Sequence, residues 1–499
     1  MLFRNTVAQS GSLLVGYLFS FLLAPLMLAR LGLDKFGFWS VTGAFATYAG
    51  LLDLGIGRSI VRFIAIYDAE GRRDRIRQCL GLGLVATTLV GLAALVAVAA
   101  AAPLLSQQLG VLDAEQTRVV AMAAVGIWTL NGYQGVLNAV GLGRRQMVPP
   151  NVATTIALTV NFAISVAALL ASTSLVVYAL ANVAAALIGI LPSYVALRRI
   201  WPGPRWARPG RALTREVLGF SVKNQIGWLA DLVNFQTDKV VIAFAVDVRA
   251  AAVYEIASRV VIGVRSAAVL TVSALMPTAA AKIVEGGRRV VGPMYRRYTL
   301  RSNAIAFPLF TLAAVTSPFL LVAWLGRAPG DSTLLIPVLT VAYMINTTTA
   351  VGSTIALSAG HPGLVSLNAV LIAVVNVALT VALAPLFGIW GVVGGTFLAL
   401  LVGSVRFNAR FLRLFDLSPG DFLRGVVPTA VLAVGLALPS IALAVLVGTP
   451  DGRLSAALLL ALSLILYVPP YWWLATRGGY LPEKLRFPGV GSRQPVESP

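Results

Sequence analysis

Seven charged side chains, Lys223, Asp231, Asp238, Lys239, Glu255, Arg259 and Arg265, interrupt a stretch that is otherwise apolar enough to lie in a membrane. A charge at the bilayer centre costs at least ~2.5–3.5 kcal/mol on insertion scales, so such residues face a bundle interior or a water-filled path. On a helix, Asn224, Asp231, Asn234 and Asp238 recur at i, i+7, i+10 and i+14, which sets them on one narrow face. The chemistry is that of a polar cavity wall, in which Asp231, Asp238 and Glu255 are candidates either to couple H⁺ or Na⁺ or to balance cations. Glu255 and Arg259, at i and i+4, are placed to satisfy each other. Asp238 and Lys239 are adjacent and diverge by about 100°, so one is expected to face the cavity and the other a neighbouring helix. Arg265 has no acid three or four residues away.

These residues need a scaffold, and the composition names its class. Of 499 residues, 58% are hydrophobic and 12% charged; soluble domains carry about a quarter charged. Cys79 and His361 are the sole cysteine and histidine, so no disulfide, no cysteine-based metal cluster and few histidine-dependent mechanisms are open. No metal site or cofactor is expected. Fourteen spans of about 20 or more residues are predicted: 6–30, 36–63, 79–102, 118–142, 148–171, 175–197, 216–245, 251–279, 299–325, 334–358, 364–386, 389–411, 425–447 and 454–475. The first is a full span continuing into the second, which argues against a cleavable signal peptide.

The net charge of +20 is distributed as topology requires. With the N-terminus inside, the inner segments hold the clusters Arg72–Arg77, Arg144–Arg145, Arg198–Arg215, Lys282–Arg297 and Arg406–Arg424, while the outer turns hold little beyond Arg30, Lys35, Arg118, Arg249, Arg327 and Arg453. Both termini are therefore expected in the cytoplasm, and a nucleic-acid partner is not. The longest polar pieces, 198–215 and 477–499, read as a linker and a disordered tail. No loop can house a catalytic domain, so the function belongs to the bundle and an enzyme is not expected.

A repeat runs through the chain at an offset of about 215 residues. The turn Leu31–Gly37 is followed by Phe38-Trp39, and Val246–Ala252 by Val253-Tyr254; Asn138–Arg144 is echoed by Leu357–Pro362. The expected architecture is an all-α polytopic membrane protein with about 14 transmembrane helices. It divides into a six-helix lobe (1–200), a basic linker (201–215), a pseudo-symmetric six-helix lobe (216–412), two extra C-terminal helices (413–476) and a tail (477–499).

Within this frame, Leu31, Gly32, Phe36, Gly37, Trp39 and Leu52-Asp53-Leu54-Gly55 form a pattern that resembles the first hairpin of the Wzx-type polysaccharide flippases. These belong to the multidrug/oligosaccharidyl-lipid/polysaccharide exporter (MOP) superfamily. Asp238–Ile242 and Tyr254–Ala257 resemble that family's seventh and eighth helices, with Ala252 where glycine is usual. The resemblance implies a bacterial inner-membrane protein whose two bundles rock about a central cavity and pass a polyprenyl-diphosphate-linked oligosaccharide to the outer leaflet. Membrane lipids, a polysaccharide polymerase and glycosyltransferases are the partners it implies.

Arginine and lysine suit a diphosphate, which marks Arg58, Arg265, Arg259 and Lys223 as candidate substrate contacts beside Asp53, Asp231, Asp238, Asn224 and Asn234. Arg58 and Arg62 could instead snorkel to the inner interface. The amides Asn131, Gln134, Asn138, Asn151, Asn161, Asn346, Asn368 and Asn376 are either helix–helix bonds or sugar contacts. The alternatives are a lipid II-type flippase or drug exporter of the same superfamily and, from another class, a membrane polymerase or glycosyltransferase.

Overall fold

A computed structural model describes residues 2–50, 56–201, 206–273 and 275–481. They form sixteen α-helices, one 3₁₀ turn (Gly287–Val290) and no strand. In chain order the helices begin α1 (Leu2–Ala49), α2 (Ile56–Ala69), α3 (Arg73–Leu109), α4 (Ala114–Gly143), α5 (Val148–Ala171) and α6 (Leu175–Ile200). Next come α7 (Arg211–Ala245), α8 (Val248–Ser273), α9 (Leu275–Gly286), α10 (Val291–Val315) and α11 (Ser317–Leu325). The last are α12 (Ser332–Thr347), α13 (Ala350–Ser358), α14 (Pro362–Leu414), α15 (Pro419–Val447) and α16 (Arg453–Arg477).

The all-α, multi-pass architecture read from the sequence is the one adopted. Eight helical segments are each long and apolar enough to cross a membrane among the described residues, or nine if the stretch Ala279–Val315 and α11, bent by 71° from each other, count together as one span. Two of the eight contain a glycine break. Backbone angles of φ 81° at Gly32 divide α1, and φ 57° at Gly388 divides the 53-residue α14. A side chain is strained at such angles, whereas glycine is not. Helices α4, α7 and α8 fall on predicted spans but are less apolar, and α7 and α8 carry the charges.

The chain forms two compact units, Met1–Glu255 with Thr380–Val392, and Ile256–Leu379 with Val393–Pro499. In the first, α3 and α4 approach through small residues: a Cβ added to Gly91 would lie 2.5 Å from the Thr129 side chain, and one on Gly132 2.9 Å from Thr87. Membrane helices associate through such close approach because lipid supplies no hydrophobic drive between them. One end of the bundle is pinned by Arg144, which donates to Asp68 (2.8 Å) and to the Ile200 carbonyl (2.9 Å). The described part of the segment expected as a basic linker contacts α3 and runs into a helix. Helix α7 begins at Arg211, and Ala207 N–H donates to the Arg77 carbonyl at 3.1 Å, its own carbonyl lying against Gly81.

The second unit centres on aromatic packing, with Phe411 4.9 Å from Tyr295 and 5.0 Å from Phe415 between ring centroids. The C-terminal helices join it through α10. Asn303 donates to the Gly425 carbonyl (3.1 Å) on α15, and Tyr471 on α16 donates to the Ala304 carbonyl (2.8 Å). Helix α15 starts with a capping box, in which Ser418 and Asp421 each bond the other's backbone N–H.

The repeat is visible in the backbone. Arg144, Arg145 and Gln146 donate to Val140, Leu142 and Gly141; 215 residues later Ala359, Gly360 and His361 donate to Ile355, Leu357 and Ala356. The middle residue is left-handed in both turns, with φ 60° at Arg145 and 81° at Gly360.

Candidate functional site

The charged hairpin of α7 and α8 pairs with itself more than its spacing suggests. Tyr254 donates its hydroxyl to Asp238, which is fully buried, and Lys239 donates to Glu255 at 3.1 Å. Two adjacent residues of α7 thus engage two adjacent residues of α8. This corrects the expectation that Asp238 and Lys239 must part company. The long lysine stem reaches back to the helix that the aspartate already faces, which gives Glu255 an interhelical partner that the i, i+4 spacing does not nominate. A low-dielectric setting penalises an unpaired charge heavily, so a neutralising ion pair such as Lys239–Glu255 is expected where α7 and α8 meet.

Asn234 is half-buried on α7, and Arg259 and Arg265 are half-buried on α8. The Arg265 guanidinium lies 6.0 Å from the Tyr343 ring centroid. Asp53 falls outside the described residues, as do the side chains of Arg58, Lys223, Asn224 and Asp231. Arg62 stacks over Phe220 at 3.8 Å.

Two further features escaped the sequence reading. The first joins the segment after the Gly32 break to the start of α8. Asp34 and Arg249 form a two-pronged ion pair, with the Nη2 to Oδ2 bond 2.9 Å long. Beside it a Cβ on Gly37 would lie 2.2 Å from the Val248 carbonyl and 3.1 Å from the Ala252 Cβ, so only glycine permits this approach. Asp34 and Arg249 are 215 residues apart, and so are Gly37 and Ala252. Applying the repeat offset to the charged residues would have found the pair.

The second is a cavity of about 420 Å³ among α1, α4, α5 and α6. Asn131, Gln134, Asn138, Thr154, Asn161 and Asn182 line it with Trp39, and no charged residue does. Asn161 donates to Asn182 (3.0 Å), Asn138 to Thr154 (3.3 Å) and Gln134 to the Ala186 carbonyl (3.2 Å). Asn138 Oδ1 is buried with no hydrogen-bond partner among the described residues. Elsewhere the amides tie helices together: Asn151 to Ser12, Asn346 to Ser404, Asn368 to Arg406 and Asn376 to Thr396.

Solved structures share this fold. An inward-facing multidrug resistance MATE family transporter of the MOP superfamily superposes with TM-score 0.67 at 16% identity, over 83% of this chain and 98% of its own. The lipid II flippase MurJ in an inward closed conformation superposes with TM-score 0.65 at 12% identity, over 95% and 99%. An outward-facing MATE family transporter reaches 0.56 at 16% identity, over 83% and 95%. No curated protein matches the sequence. The solved relatives in fold are transporters and a flippase, with no polymerase or glycosyltransferase among these three, and residues 2–281 match the profile described as polysaccharide biosynthesis protein; the chain is a member of that family, built on the fold of the MOP-superfamily transporters.

Proposed function

We propose that this protein moves a polyprenyl-diphosphate-linked oligosaccharide from the inner to the outer leaflet of the bacterial inner membrane by alternating access, with both termini in the cytoplasm. The observation that carries this reading is the half-buried pair Arg259 and Arg265 on a membrane helix of a polysaccharide-biosynthesis family member. Arginine at this depth is tolerated where it faces protein or a water-filled path. Its planar fork of donors matches diphosphate oxygens two at a time. Arg58 and Lys223 are the corresponding cations nearer the inner leaflet, and Asp53, Asp231, Asn224 and Asn234 complete the candidate wall. H⁺ or Na⁺ coupling would fall to Asp231, or to Asp238 or Glu255 by release of their hairpin partners. A polysaccharide polymerase and glycosyltransferases are the proposed pathway partners.

Arg265→Ala should lower export of the lipid-linked glycan by about ten- to a hundredfold, the worth of one charge-assisted hydrogen bond, while the protein remains inserted and abundant. Undiminished export would remove the diphosphate role. Transport in vesicles should respond to an imposed pH or Na⁺ gradient if the acids couple it.

A lipid II-type flippase is the second reading. It is favoured by the extent of the MurJ match, 95% of this chain against 83% for the multidrug transporter. The precursor that accumulates on the inner leaflet when the protein is depleted separates the two readings.

A further inference from the structure

We propose that the charge-free cavity among α1, α4, α5 and α6 is a subsite for one neutral sugar ring of the transported glycan. The inference rests on the glycolipid reading above and adds to it a place for the sugar apart from the arginines that would hold the diphosphate. Three observations support it. The lining supplies amide and hydroxyl groups, which both donate and accept, and no charge, so it complements a neutral polyhydroxylated ligand and offers little to an ion. Trp39 adds an indole of the kind that packs on the apolar face of a sugar ring. At about 420 Å³ the cavity lies within the size range of small-molecule sites. Asn131 at the exposed rim gives an approach, and Asn138 carries the unsatisfied oxygen.

The second half of the repeat argues that the space is not a by-product of helix stapling. Asn161 bonds Asn182 across α5 and α6; Asn376, 215 residues on, bonds Thr396 across the two arms of α14 at the same 3.0 Å. The staple is common to both. In the first half Ala157 lies against Gly189. In the second, Ile372 lies against Gly403, where an added Cβ would meet its side chain at 2.1 Å. The staple therefore forms beside a large side chain in one half and beside the small Ala157, at the edge of the cavity, in the other.

The test fills the cavity with the side chain that the other half already carries. Purified protein in nanodiscs is probed by saturation-transfer NMR with N-acetylglucosamine, glucose and galactose, and separately by titration calorimetry with inorganic pyrophosphate. Wild type should transfer saturation to at least one sugar. Ala157→Ile should weaken that sugar's binding about tenfold or more, the worth of one or two hydrogen bonds, and leave pyrophosphate untouched. Arg265→Ala should do the reverse. Sugar binding that is absent in wild type, or unchanged in a folded Ala157→Ile protein, overturns the subsite. Pyrophosphate binding unchanged in Arg265→Ala strikes the diphosphate reading alone. If Ala157→Ile lowers the melting temperature, Asn138→Leu replaces it, with the same two outcomes.

Discussion

The hairpin of α5 and α6 and the two arms of α14 occupy equivalent places in the repeat, and they spend the same polar contact differently. Each crosses its helices with one asparagine bond, Asn161 to Asn182 and Asn376 to Thr396. Around that bond one hairpin keeps alanine and a hollow lined by amides, and the other packs Ile372 against Gly403. The difference teaches that polar residues at membrane depth do two separable jobs. A single hydrogen bond fixes the register of two helices; a site is made by withholding apolar bulk beside it.

Several substitutions would break or sharpen this contrast. The largest effect is expected from Ile372→Ala, which empties a filled site and should cost about 2–5 kcal/mol in a detergent unfolding titration. Ala157 is buried at the cavity edge against Gly189, so Ala157→Ile should cost the ~1–3 kcal/mol typical of overpacking. An equal cost for the two would erase the distinction between filled and open halves. Smaller still are Asn161→Leu and Asn376→Leu, each expected near ~0.6 kcal/mol and below ~2 kcal/mol, as interhelical bonds in membranes are. A large inequality between them would show that the two staples are not equivalent. The smallest change is in the Asp34–Arg249 pair, where Asp34→Asn should cost about 0–1 kcal/mol, as exposed ion pairs do, and added salt should weaken the pair in the wild type.

Much of the scaffold was legible because membrane depth imposes a simple pattern. The span predicted at 148–171 coincides with α5, bounded by the Pro149-Pro150 pair and by Ser172. The turn after α4 and its echo after α13 were visible as small and polar residues, and both proved to carry one hydrogen-bond scheme. What sequence spacing could not give was competition between partners. The i, i+4 rule nominates Arg259 for Glu255 and gives no hint of Lys239, which reaches Glu255 from the facing helix. Nor could it give the cavity, which depends on the bulk of Ala157 opposite Gly189 as much as on the amides themselves. Asn182 went unmarked for the same reason, since its importance lies in what it faces on α5.

The Asp34–Arg249 pair shows what a repeat within one chain permits. In a dimer of two identical subunits, a residue on the dyad meets its own copy, so a charge there faces a like charge. Within one chain the two positions are independent, and residues 215 apart set Asp34 against Arg249, with the small Gly37 and Ala252 beside them. One chain thereby holds an attractive clasp where a symmetric dimer would set like charges face to face.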